Sequence, residues 1–141
     1  MAILWPMKVF LSHLSTDKDL VQKISDELKK WGMDLWDDTY EIYPGDNWAQ
    51  VTSQALQESQ AMIVLLTPEA LDSKWIMWAI EFAMVNVSYK HRLIPVLLGD
   101  PDRFEEKIPP VFKYLKVINL PDNGKNDENI RQIAEAIKQA A

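Results

Sequence analysis

The chain is expected to fold as an α/β domain with a doubly wound parallel sheet, and three observations predict it. Short apolar runs (Met7–Ser12, Met33–Asp37, Ala61–Thr67, Arg92–Leu98 and Tyr114–Asn119) read as buried strands. Stretches with a helical period alternate with them, as parallel β-α-β units require. Right-handed crossovers through such units favour the flavodoxin-like strand order 2-1-3-4-5, with helices on both faces.

Each element has a local cause. Met7–Ser12 (Met-Lys-Val-Phe-Leu-Ser) is a buried strand, followed by a loop whose Ser15, Thr16 and Asp17 can cap a helix. From Lys18 to Trp31, Leu20, Ile24, Leu28 and Trp31 share one stripe, and Gly32 closes that helix at C′. Met33–Asp37 is the second strand. Asp38 to Trp48 is a loop with a Pro44-Gly45 turn, after which Asp46 or Asn47 can cap a helix reaching about Ser59. Ala61–Thr67 is the clearest buried strand. Pro68 to Ser73 is a turn-rich link with room for one helical turn. Ser73 then caps a helix running to about Ser88, with Ile76, Ile80, Ala83 and Val87 on its core side and Trp75, Trp78, Ala79 and Phe82 on a neighbouring face. Arg92–Leu98 is the fourth strand, Asp100–Pro110 a proline-rich loop, Tyr114–Asn119 the fifth strand and Glu128–Gln139 the last helix.

Composition narrows the function classes. At 141 residues the chain fits one domain, residues 1–141, with a real core. A net charge of −6 speaks against a generic nucleic-acid or anionic-membrane surface. The absence of cysteine removes disulfides, thiolate nucleophiles and cysteine-based metal sites, and two distant histidines, His13 and His91, argue against a histidine-rich one. No apolar run is long enough for a membrane span, and Met1–Met7 is too short for a signal peptide. A cytoplasmic location is therefore expected.

Ligands of doubly wound sheets bind beyond the carboxyl ends of the strands, where the strand order reverses. Three loops meet there. The first offers Ser12, His13, Leu14 and Ser15, residues that turn and cap chemistry alone would also explain. The second offers Trp36, Asp37, Asp38, Tyr43 and Trp48, and the third Trp75 and Trp78. Aromatic residues at helical spacing serve more often as core than as site. Yet Trp36, Trp48, Trp75 and Trp78, four of the six tryptophans, gather at this edge, where rigid aromatic walls suit a planar nicotinamide or adenine ring. The Gly-x-Gly-x-x-Gly dinucleotide fingerprint, the P-loop and the Gly-x-Ser-x-Gly elbow are all missing. A phosphate-accepting receiver domain would need an aspartate after strand 3, where this chain has Leu66-Thr67-Pro68.

At these loops the sequence resembles a Toll/interleukin-1 receptor (TIR) domain of bacterial type. Lys8–His13 with Asp17 resembles the first family box, and Trp36–Asp38 with Pro44–Trp48 the second box and its BB loop. Ala61–Pro68 is similar to the family's third strand, and Ser73-Lys74-Trp75 to its Ser-x-Trp helix start. Four boxes in register cover essentially the whole chain. The resemblance implies a NAD+ nucleosidase that cleaves the nicotinamide–ribose bond, releasing nicotinamide and ADP-ribose or a cyclic ADP-ribose. It implies NAD+ as substrate, with no covalently bound cofactor and no metal. The family's carboxylate stands four residues after the helix-start tryptophan, where it can hold ribose hydroxyls and stabilise an oxocarbenium-like ribose.

Here that position is Ala79. Glu81, the nearby carboxylate, lies about 200° further round the helix. Three readings stay open: an inactivated form of an NADase, natural or engineered; a domain in which Glu81 serves after a local distortion; and a non-enzymatic scaffold acting by self-association. The resemblance favours the first, with Trp75 and Trp78 walling the nicotinamide–ribose end and Trp48 packing on NAD+. Ser12, His13 and Leu14 would line the pocket, and Asp38 would hold a ribose hydroxyl. It further implies self-association through the BB loop, Asp38 to Trp48, and a fused or partner sensor module in antiphage immune signalling. Direct nucleic-acid and membrane contacts are not expected.

Overall fold

The computed structural model describes residues 7–13, 18–37, 50, 54–55, 57–85, 92–104, 107–121 and 127–140. Five strands, β1 (Met7–Ser12), β2 (Met33–Asp37), β3 (Ala61–Leu66), β4 (Leu93–Leu98) and β5 (Ile118–Leu120), form one sheet in the order β2-β1-β3-β4-β5. Every pairing is parallel, as predicted. Helices α1 (Lys18–Lys30), α2 (Lys74–Val85) and α3 (Asp127–Ala140) cover it.

The strands are apolar because both faces are covered. All six residues of β3 and of β4 are buried. Alternation sorts their side chains into two cores. Val9 and Leu11 of β1, Ile63 of β3 and Val96 of β4 pack with Leu20, Ile24 and Leu28 of α1 and Ile133 and Ile137 of α3. Phe10, Met62, Val64, Leu66 and Leu97 pack on the opposite face with Ile76, Ala79, Ile80 and Ala83 of α2. Phe104 and Phe112, from short 3-10 turns at Pro101–Phe104 and Pro110–Tyr114, complete that second core.

Local signals explain the helix ends. Gly32 takes a φ of 77°, the left-handed conformation that a side chain would disfavour, and its amide bonds back to the Lys29 carbonyl at 3.1 Å. At the start of α2 the Ile76 amide donates to Ser73 Oγ at 3.3 Å, the expected cap. Ser73→Ala is expected to lower stability by about 1 kcal/mol, read as a shift of the urea midpoint at constant slope.

Four readings of the sequence need correction. Ala79 is fully buried in the second core instead of sharing a face with Trp78. Three residues from Ile76 turn the helix by about 300°, so the buried arc extends to Ala79. Trp36 is packed: its ring stacks on Phe10 with centroids 4.9 Å apart, so it is no open aromatic wall. The stretch after Asp100 is not plain loop, because two 3-10 turns bury Phe104 and Phe112. Tyr114 belongs to the second of those turns and is 79% exposed, so β5 begins only at Ile118.

Candidate functional site

The carboxyl edge of the sheet is built first by β1. Ser12, its last residue, is 1% exposed, and His13 just beyond it is buried as well. Phe10 belongs to the α2-side core, and alternation along the strand places Ser12 on that same face. Its register partner in β3 is Val64, and the Phe10–Trp36 stack lies one pleat below. Ser12 Oγ is buried without a hydrogen-bond partner. Buried hydroxyls are ordinarily paired, so this one stands out at the point where strand order reverses.

Helix α2 supplies the second part. Ser73 caps it, Trp75 begins its first turn, and Trp78, 39% exposed, stands on the outer surface. Glu81, three residues on, is also exposed and neighbours Trp78 on the helix surface. Ala79 faces the opposite way, into the apolar core. The methyl at position 79 and the carboxylate at position 81 therefore lie on different sides of the helix. Leu14, Asp38 and Trp48, together with the rest of the BB loop, lie outside the described residues, as do Tyr43, Val87 and His91.

Sequence reasoning missed how the loops beyond β3 and β4 are tied together. After β3, Thr67 Oγ1 accepts from the Ala70 amide at 3.1 Å, opening a 3-10 turn at Ala70–Asp72. Arg103 Nη2 then lies 3.3 Å from Glu69 Oε1, and Lys107 Nζ 3.4 Å from Asp72 Oδ2. Two ion pairs thus clamp the segment that leads into α2. Opposite charges 34 and 35 residues apart were the one signal available, and only the topology brings them together.

The Glu69 carboxyl is held below its ordinary range. Hydrogen bonding from its own backbone amide is the main cause, assisted by the Thr67 hydroxyl, Arg103 and Lys107, and partly opposed by desolvation. A depressed folded value stabilises the fold above the ordinary carboxylate pKa, and that contribution disappears as pH falls through the depressed value. Glu69→Gln is therefore expected to lower the urea midpoint slightly at pH 7 and to match the wild type at pH 2. Because the pair is exposed, added salt should shrink the difference.

The clefts described in the chain lie away from this edge. One of about 340 Å³ runs between β5 and α3, lined by Lys116, Asn119, Gln132 and Glu135 among others. Another of about 210 Å³ lies by Lys8, Asp34 and Trp36, toward the amino ends of β1 and β2. No group of three or more His, Cys, Asp or Glu among the described residues could hold a metal ion. No described helix is long and apolar enough to cross a membrane.

Residues 9–134 match the TIR domain family, and the chain belongs to it. Among its relatives is the 2' cyclic ADP-D-ribose synthase BtTIR of Bacteroides thetaiotaomicron, 26% identical over 60% of this chain and 30% of that protein. Another is the NAD(+) hydrolase TirS of Staphylococcus aureus strain MSSA476, 30% identical over 61% of this chain and 31% of that protein. The chain thus spans under a third of the length of these curated relatives. Among solved structures, the TIR domain of the Toll-related receptor TRR-2 from Hydra magnipapillata superposes with a TM-score of 0.69 at 15% identity, over 92% of this chain and 97% of that one. That likeness shows the fold alone.

Proposed function

We propose that this domain binds NAD+ at the carboxyl edge of its sheet, between the end of β1 and the start of α2, and that it does not turn the dinucleotide over. The binding half rests on family membership and on relatives named as NAD(+) hydrolase and cyclic ADP-D-ribose synthase. The silent half rests on position 79. Cleaving the nicotinamide–ribose bond builds positive charge on the ribose, and a fixed carboxylate beside it is the direct way to stabilise that charge. At position 79 the chain offers a methyl group sealed in the apolar core, and Glu81 stands on the outer surface of α2. A titration calorimeter should register NAD+ binding, while chromatography of the same mixture should show no nicotinamide above the spontaneous background. Heatless titration together with an unchanged melting temperature in excess NAD+ counts against the binding half. Steady nicotinamide release counts against the silent half.

One observation favours assembly alongside binding. The outer face of α2 carries Trp78, Met84 and half-buried Met77 with only Lys74 and Glu81 as charges, so the helix is apolar nearly all round. Self-association, with the BB loop from Asp38 to Trp48 as its second component, is the reading in which such a face is covered. A role as the NAD+-directed module of a larger immune protein, coupled to a separate sensor, follows the same line. Light scattering across a hundredfold range of protein concentration tests the assembly, and a constant monomer mass throughout would refute it.

A further inference from the structure

We infer that the hydroxyl of Ser12 is a ligand-binding group, held unpaired in the free protein to hydrogen-bond an uncharged polar group of the bound dinucleotide; this rests on the NAD+ reading above. Three observations converge. Ser12 Oγ is buried and has no hydrogen-bond partner, a state that costs the fold free energy and that packing does not reward. The residue closes β1, the strand at which the sheet order reverses, so the hydroxyl stands where doubly wound sheets receive ligands. Alternation puts it on the α2 side of the sheet, the side on which the Trp75–Trp78 helix begins.

The surroundings select the chemistry. Ser12 pairs in register with Val64, the Phe10–Trp36 stack lies one pleat below, and the core on that face is apolar throughout. A phosphate pressed into such a place would lose its hydration with no counter-charge from that core. A ribose hydroxyl or the nicotinamide carboxamide would not, because a single hydroxyl can donate to or accept from either. Both are neutral polar groups beside a flat apolar body, which matches one hydroxyl set against aliphatic and aromatic walls.

A group kept for a ligand has a signature that a structural hydroxyl lacks: removing it should harm binding and leave the free fold no worse. Ser12→Ala is expected to weaken NAD+ binding about tenfold by calorimetry, the size of one lost hydrogen bond to a neutral group. Its ligand-free melting temperature should equal or exceed that of the wild type, because no hydrogen bond is lost and an unsatisfied hydroxyl is removed. Parallel titrations with ADP-ribose and with nicotinamide locate the contact. A tenfold loss for ADP-ribose assigns the hydroxyl to a ribose; a loss for nicotinamide with ADP-ribose unchanged assigns it to the carboxamide. Unchanged NAD+ affinity in Ser12→Ala, with a wild type that binds, overturns this inference and leaves the NAD+ reading standing. A ligand-free melting temperature below the wild type also overturns it, since the hydroxyl would then be structural. A wild type that does not bind NAD+ overturns both.

Discussion

Ala79→Glu is expected to gain nicotinamide release at least about 100-fold above the wild-type background, the scale on which a single fixed electrostatic group acts in catalysis. The same substitution should cost stability. Position 79 is fully buried among Ile76, Ile80, Ala83 and the apolar side chains of β1 and β3. A carboxylate that stayed in that cluster unpaired would cost on the order of 3 kcal/mol and would be driven toward its protonated form. It escapes that cost only by turning toward the sheet edge, where Ser12 Oγ is an unpaired buried hydroxyl on the same face. Gain of activity and loss of stability are therefore coupled, and the pH profile of release should rise through an elevated glutamate pKa. Ala79→Gln has the same bulk without the charge and should carry the stability loss with no activity. A folded Ala79→Glu protein that releases no nicotinamide, assayed at concentrations where it assembles, would defeat the idea that position 79 alone silences the site. Glu81→Gln should leave this outcome untouched, because Glu81 lies on the outer arc of the helix.

Much of this molecule was legible before any coordinates, and the reason is physical. A strand covered on both faces must be apolar throughout, so Met33–Asp37 and Ala61–Leu66 could be read almost to the residue. A capped helix whose apolar residues recur every three to four positions is equally plain, as in α1 and α3. Short 3-10 turns have no such period. Phe104 and Phe112 are core residues delivered by proline-led turns, and nothing in their spacing announces it. Ala79 was misplaced because a small residue at the border of two faces fits either, and only packing decides. The site was less legible than the fold. The boxes pointed to Ser12 and α2, but the unpaired state of the Ser12 hydroxyl is a statement about what does not surround it. Likewise, the Glu69–Arg103 and Asp72–Lys107 pairs exist only once β3 and β4 lie side by side.

Phe10→Ala is expected to have the largest effect on stability, about 3–5 kcal/mol. Such a loss would remove a third or more of the roughly 5–15 kcal/mol that holds a typical domain folded. Phe10 is completely buried in β1, between Trp36 of β2 and Met62 of β3 in the sheet register. Its removal opens a cavity under the sheet-facing side of α2, where strand backbones on either side prevent collapse. Part of the loss belongs to the stack with Trp36, whose rings lie 19° from parallel. A double-mutant cycle with Phe10→Leu and Trp36→Leu should show a coupling of about 1 kcal/mol, the usual worth of an aromatic pair beyond its buried area. The consequence for function follows from position. Phe10 lies one pleat below Ser12, so Phe10→Leu, which stays folded, should weaken NAD+ binding by loosening the floor on which that hydroxyl sits. Phe104→Leu empties a comparable volume in the same core from the turn after β4, and it serves as the control. Equal losses of NAD+ affinity in the two variants would trace the effect to general softening of the core; a larger loss in Phe10→Leu ties it to the end of β1.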